Sequence, residues 1–128
     1  MASDKNIYKG YSNARNWQKM FSASKQVSAL LDKEFKNVNL EGVDLLDVGF
    51  GSGYLLAWAK NKGVQVAGVE LQDDLLARAT ESGFNVFSSL NDVPTESIDI
   101  VVLFDIIEHI ELNEIADFLE QVMRILKQ

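Results

Sequence analysis

Apolar positions in this chain follow two rhythms that alternate from about residue 43 onward. Four short runs, VDLLDV at 43–48, VQVAGVE at 64–70, FNVF at 84–87 and IDIVVLF at 98–104, are rich in branched and aromatic side chains. Near-continuous apolar runs of this length predict parallel strands covered on both faces. Between them the spacing predicts helices over 54–62 and 73–82, closed by Gly63 and Gly83, where glycine can adopt a left-handed helix cap. After the fourth run, Leu112, Ile115, Leu119, Val122 and Leu126 recur every three or four positions and predict a last helix, with Asn113 as its candidate cap. The resulting order is strand, helix, strand, helix, strand, a loop around 91–96, strand and helix.

Residues 1–42 follow a different pattern. Val27, Leu30, Leu31 and Phe35 predict an amphipathic helix, preceded by Tyr8, Tyr11, Trp17 and Phe21, four aromatics within fourteen residues. Such a segment can pack on the flank of the sheet, fold over a ligand, or do both. The chain therefore divides into an N-terminal helical segment at 1–42, a candidate lid, and an α/β domain at 43–128.

Composition narrows the function classes. A chain of 128 residues with 47% hydrophobic side chains is expected to form one globular domain with a real core. No apolar run is long enough to span a bilayer, and the polar opening MASDKNIYKG lacks the apolar centre of a secretory signal. The absence of cysteine excludes disulfides and thiolate metal sites and agrees with a cytoplasmic location. The net charge of −7 arises in the last third, where residues 91–128 carry nine acidic side chains against Arg124 and Lys127. Seven basic residues against three acidic ones in the first 36 are too dilute a patch to predict a nucleic-acid partner.

The chemistry concentrates after the first predicted strand. LLDVGFGSG places Gly49, Gly51 and Gly53 between a strand and a helix, where unpaired backbone N–H groups can face a ligand and the helix terminus favours negative charge. Gly49 is expected to permit the tight turn, Gly51 the close approach of a ligand, and Gly53 the packing of helix on sheet. Glu70 follows Gly49 by 21 positions and ends the second strand, where a carboxylate can accept from both hydroxyls of a ribose. Asp47 is placed either to orient the turn or to reach a ligand's ammonium group through water. A ribose-bearing ligand is thus expected, with a dinucleotide and a single nucleoside cofactor both open.

LLDVGFGSG followed by VAGVE, then SIDIVVLFDIIEHI and a helix ending in MRILK, resembles the class I methyltransferases that use S-adenosylmethionine. The likeness covers roughly residues 43–128. It implies a Rossmann-like three-layer αβα sandwich with a parallel sheet, here partial, with four strands of an expected seven and the C-terminal part missing. It also implies S-adenosylmethionine as cofactor, S-adenosylhomocysteine as product and a small-molecule methyl acceptor. By the same resemblance, Asp47, Gly49, Phe50, Gly51 and Gly53 border the methionine part, Glu70 holds the ribose with Leu71 beside it, and Ser88, Ser89 and Leu90 border the adenine. Two positions depart from the family pattern. Ser88 and Ser89 stand where an acidic residue commonly meets the adenine amino group, with Asn91 or Asp92 as substitutes, and Phe50 stands where a small residue or cysteine is usual.

The fourth strand is expected to deliver Phe104 to the cofactor and Asp105 and His109 to the acceptor side, with Tyr8, Tyr11 and Trp17 as further substrate-side residues. His109 is the candidate catalytic base, since a neutral imidazole can take a proton from a hydroxyl or amine as it attacks the methyl. A zinc centre is not expected, because no second histidine or cysteine exists to complete a ligand set. In the family order the fourth strand forms an edge open to self-association. The alternatives carried forward are a nicotinamide dinucleotide-binding domain and a non-catalytic binding or assembly module.

Overall fold

The computed structural model describes residues 19–104 and 106–128. Its elements are α1 (Lys25–Glu34), β1 (Asp44–Val48), α2 (Tyr54–Asn61), β2 (Gln65–Val69), α3 (Asp73–Glu81), β3 (Asn85–Phe87), β4 (Ile100–Val102) and α4 (Leu112–Ile125), with 3₁₀ turns at Leu90–Asp92 and Ile107–His109. The four strands form one parallel sheet in the order β3-β2-β1-β4. This is the partial Rossmann-like α/β fold that the resemblance implies, with the parallel strands that the alternation of runs predicts.

Side chains alternate along a strand, and that alternation sorts the core into layers. Leu46 and Val48 of β1, with Ala67 and Val69 of β2, face α4 and pack with Val122 and Ile125. Leu45 and Val102 face the opposite layer, where Leu31 of α1 and Leu55, Trp58 and Ala59 of α2 cover them. A third cluster on that same side joins Leu56 to Leu75 and Ala79 of α3, with Met20 and Phe50. Buried side chains of this size each contribute roughly 1.5–3 kcal/mol, so the double covering of β1 and β2 makes the centre of the sheet its most stable part.

Several expectations change in detail. The fourth strand is confined to Ile100–Val102, so Leu103 and Phe104 leave the sheet. Its approach is partly covered, because Leu126 bridges Ile98 in parallel and Lys127 N donates to the Ile98 carbonyl at 2.9 Å. The last helix is entered from Glu111 rather than capped by Asn113. Its inward stripe is Phe118, Val122 and Ile125, whereas Leu112 and Leu119 face outward, Leu112 being 90% exposed. Leu30 likewise lies on the wet side of α1, leaving Leu31 as the buried anchor. In both helices the apolar spacing was compatible with more than one face, and the neighbouring sheet selected between them.

Arg124 ties α4 to the segment after β3. Its guanidinium donates to the carbonyls of Leu90 and Val93, each at 2.9 Å, and to Thr95 Oγ1 at 2.9 Å. At the start of β1, Lys127 Nζ donates to Asp44 Oδ2 at 2.9 Å and Asp99 Oδ2 at 3.0 Å.

Candidate functional site

The glycine turn lies at the carboxyl end of β1, the edge at which ligands bind in open α/β sheets. Gly49, Gly51 and Gly53 have φ of 75°, 54° and 81°, a backbone region that favours glycine. Gly49 N donates back to the Val69 carbonyl at 2.7 Å, so the turn begins as a continuation of the β1–β2 pairing. A side chain on Gly53 would collide with the Phe21 ring. The sequence reading of Gly53 as the helix-on-sheet contact is therefore corrected: it makes room for the segment before α1, and Phe21 N seals the contact by donating to the Ser52 carbonyl at 2.8 Å.

Glu70 is buried at the end of β2, only 3% exposed. Its Oε1 accepts from Gly51 N at 3.1 Å, and its Oε2 accepts from Leu71 N at 2.7 Å and Gln72 N at 3.1 Å. One carboxylate thus locks the glycine turn to the start of α3. The same bonds correct the reading of Gly51, whose N–H is directed at Glu70 rather than left for a ligand.

Asp47 is also buried, at 5% exposure, and alternation puts it on the side of Leu45, facing the α1–α3 layer. Desolvation, and secondarily the charge of Glu70, raise its pKa from the usual carboxylate range to about 8. Its carboxyl has no hydrogen-bond partner among the described residues, so it does not orient the turn through one.

On the α4 side of the same edge a cavity of about 450 Å³ opens between β1, β2 and α4. That volume lies within the range of small-molecule and cofactor sites. Gly49, Glu70, Leu71, Ser89 and Leu90, five of the residues named from sequence, line it together. Val48, Val69, Ile106, Ile110 and Phe118 supply apolar wall, and Gln72, Glu114, Asp117 and Gln121 supply polar groups.

The remaining candidates are placed elsewhere. Phe50 is not a wall of the cavity: it packs in the core beneath Gly68 and edge-on to Phe21. Ser88 lies outside the lining, with its hydroxyl 3.5 Å from Asp92 Oδ2, and neither Asn91 nor Asp92 reaches the cavity. Phe104 is half exposed and pairs with Phe35 rather than with the site. His109 sits on the 3₁₀ turn whose flanking residues Ile106 and Ile110 face the cavity, but its own side chain does not line it. Its Nε2 lies 3.9 Å from Glu108 Oε1. Tyr8, Tyr11, Trp17 and Asp105 lie outside the described residues. Among those that are described, no group of histidines and carboxylates is arranged to hold a metal, and no helix is long and apolar enough to cross a membrane.

Sequence reasoning missed the α4 contribution entirely. Glu114 and Asp117 belong to the acidic excess of residues 91–128 and Gln121 carries no signal in the sequence; only the docking of α4 beside the 90–93 turn brings them to the cavity.

Comparison with known proteins agrees with the fold. A protein-family model described as a methyltransferase domain matches residues 46–128. A SAM dependent methyltransferase from Archaeoglobus fulgidus is 24% identical with a TM-score of 0.63, over 78% of this chain and 48% of that one. The PH0226 protein from Pyrococcus horikoshii OT3 is 20% identical with a TM-score of 0.67, over 91% of this chain and 56% of that one. An S-adenosylmethionine dependent methyltransferase from Mesorhizobium loti is 26% identical with a TM-score of 0.54, over 67% of this chain and 43% of that one. The chain thus spans about half the length of these solved structures. No match was found among curated protein sequences. With the family match extending from the middle of β1 to the last residue, the chain belongs to the methyltransferase-domain family.

Proposed function

We propose that this protein binds S-adenosylmethionine at the carboxyl edge of β1 and β2 and takes part in transfer of its methyl group to a small-molecule acceptor. The observation that carries the reading is Glu70, a carboxylate buried at the end of β2, lining the cavity beside the Gly49 turn. Three backbone donors fix this carboxylate in one orientation at the cavity wall, and a carboxylate at the end of β2 is the kind of group that accepts from ribose hydroxyls. The donor set fits the rest of the cofactor as well. Leu71 and Leu90 offer apolar surface to a base.

When bound, the cofactor supplies an electrophilic methyl on a positively charged sulfur. The chain's own residues bind and orient it: the Gly49 turn allows close backbone approach, and the apolar walls Val48, Ile106 and Ile110 exclude water from one side. In-line placement of the acceptor then supplies much of the rate, and His109 is not required to touch the cavity for binding.

Calorimetric titration with S-adenosylhomocysteine tests the reading. Saturable one-to-one binding is expected, with NAD giving none at the same concentration. Binding of NAD in preference would favour the dinucleotide alternative, and no binding of either by folded protein would favour the non-catalytic module.

A further inference from the structure

The turn after β3 offers the cavity little with which to recognise a base. Ser89 Oγ accepts from Asn91 N at 3.2 Å, capping the 3₁₀ turn, while Asp92 lies outside the cavity beside Ser88. Besides Glu70 and Gln72 at the end of β2, the polar groups that share the cavity with Ser89 and Leu90 are Glu114, Asp117 and Gln121 of α4. Asp117 and Gln121 are four residues apart on one helix face, so their side chains stand next to each other.

Their hydrogen-bonding state is determined by their surroundings. Arg124 Nε lies 2.8 Å from the Gln121 amide, and a guanidinium can only donate, so the atom facing it is the carbonyl oxygen Oε1. The amide NH₂ is then directed away from Arg124 and has no partner among the described residues. Arg124 is itself immobilised by the Leu90 and Val93 carbonyls. The Asp117 carboxylate likewise has no hydrogen-bond or ion-pair partner among the described residues. The cavity therefore meets an acceptor and a donor side by side, both uncommitted.

That pair is the complement of one edge of adenine, whose exocyclic amino group donates and whose adjacent ring nitrogen N1 accepts. A 6-oxo purine reverses both groups, presenting a carbonyl oxygen and an N1–H. We propose that α4 is the base-reading element of this protein: Asp117 accepts from the adenine amino group, Gln121 donates to N1, and Arg124 is the positioning residue that orients the Gln121 amide. The inference rests on the cofactor reading of the cavity and replaces the acidic contact expected after β3.

The test compares S-adenosylhomocysteine with S-inosylhomocysteine, its hypoxanthine counterpart, by calorimetry on the 128-residue chain and its variants. The wild type is expected to favour the adenine ligand by about tenfold or more, because each reversed hydrogen bond leaves groups unpaired. Gln121→Leu is expected to weaken the adenine ligand by about tenfold while hardly changing the hypoxanthine one, which has no acceptor at N1 to lose. The double variant Asp117→Asn with Gln121→Glu exchanges donor and acceptor and is expected to reverse the preference, with thermal melts confirming the fold. Equal weakening of both ligands by Gln121→Leu, or an unchanged preference in the double variant, overturns the proposal. Wild-type binding without discrimination overturns it alone, whereas no binding of either ligand by folded wild type overturns the cofactor reading with it.

Discussion

Asp47 and Glu70 sit side by side at the end of the sheet, and their environments give them different work. Burial makes the charged form of Asp47 costly, so its carboxyl is protonated until about pH 8, against 3.8 for the free side chain. Between about pH 4 and pH 8 the folded chain therefore holds a proton that the unfolded chain has lost. The contribution of this group to stability falls as pH rises through that window and is flat above it. Asp47→Asn cannot titrate, so its urea midpoint is expected to drop less than that of wild type between pH 5 and pH 8. The difference should be at least about 1 kcal/mol, and equal drops would show that Asp47 is not the titrating group. Glu70, by contrast, is occupied by three backbone donors. Glu70→Ala leaves those N–H groups without their acceptor and is expected to lower stability by about 3 kcal/mol besides weakening S-adenosylhomocysteine binding. Chemical denaturation checks the first effect and calorimetry the second. An unaltered ligand affinity in the folded fraction would remove Glu70 from the ribose site.

At the scale of elements, two junctions hold the site in shape. The entry to α2 depends on Gly53, whose φ of 81° and contact with Phe21 leave no room for a side chain. Gly53→Ala is expected to cost more than about 1 kcal/mol, since alanine both strains this conformation and displaces the ring. A denaturant midpoint equal to wild type would show that the Phe21 segment yields freely. The second junction is α4 with the 90–93 turn, bridged by Arg124. Arg124→Ala removes charge-assisted bonds to two carbonyls and is expected to cost about 1–3 kcal/mol, an amount tempered by its partial exposure. Melting temperature reads that loss. The junction also explains a difference between pattern and structure. Leu112 and Leu119 are spaced like core positions, but the helix rotates so that Phe118, Val122 and Ile125 face the sheet. That rotation is what delivers Asp117 and Gln121 to the cavity.

For the whole molecule, the cavity lies where β1 and β2 end, between the glycine turn on one side and α4 on the other. A ligand bound there contacts several elements at once and stabilises only the folded state. S-adenosylhomocysteine at about one hundred times its dissociation constant is therefore expected to add roughly 2.7 kcal/mol to stability and raise the melting temperature by several degrees. NAD at the same concentration is expected to leave the melt unchanged, and a shift with NAD alone would contradict the cofactor reading.

The sequence by itself determined the order of elements, the parallel character of the sheet and the position of the glycine turn. These depend on local information: apolar runs doubly covered, helices ended at Gly63 and Gly83, and a glycine-rich crossing that few other residues could make. Glu70 was legible for the same reason, as a carboxylate at a fixed distance along the chain from Gly49. What only the tertiary structure decided was how those pieces face one another. Phe50 went to the core because β2 carries Gly68 opposite it, and His109 stayed out of the cavity because Ile106 and Ile110 took the inward positions of its turn. The polar groups of α4 gained their place through contacts with residues about 30 positions away, which no local periodicity encodes. Spacing along a chain specifies which faces an element can present, and packing against distant elements selects the one it does.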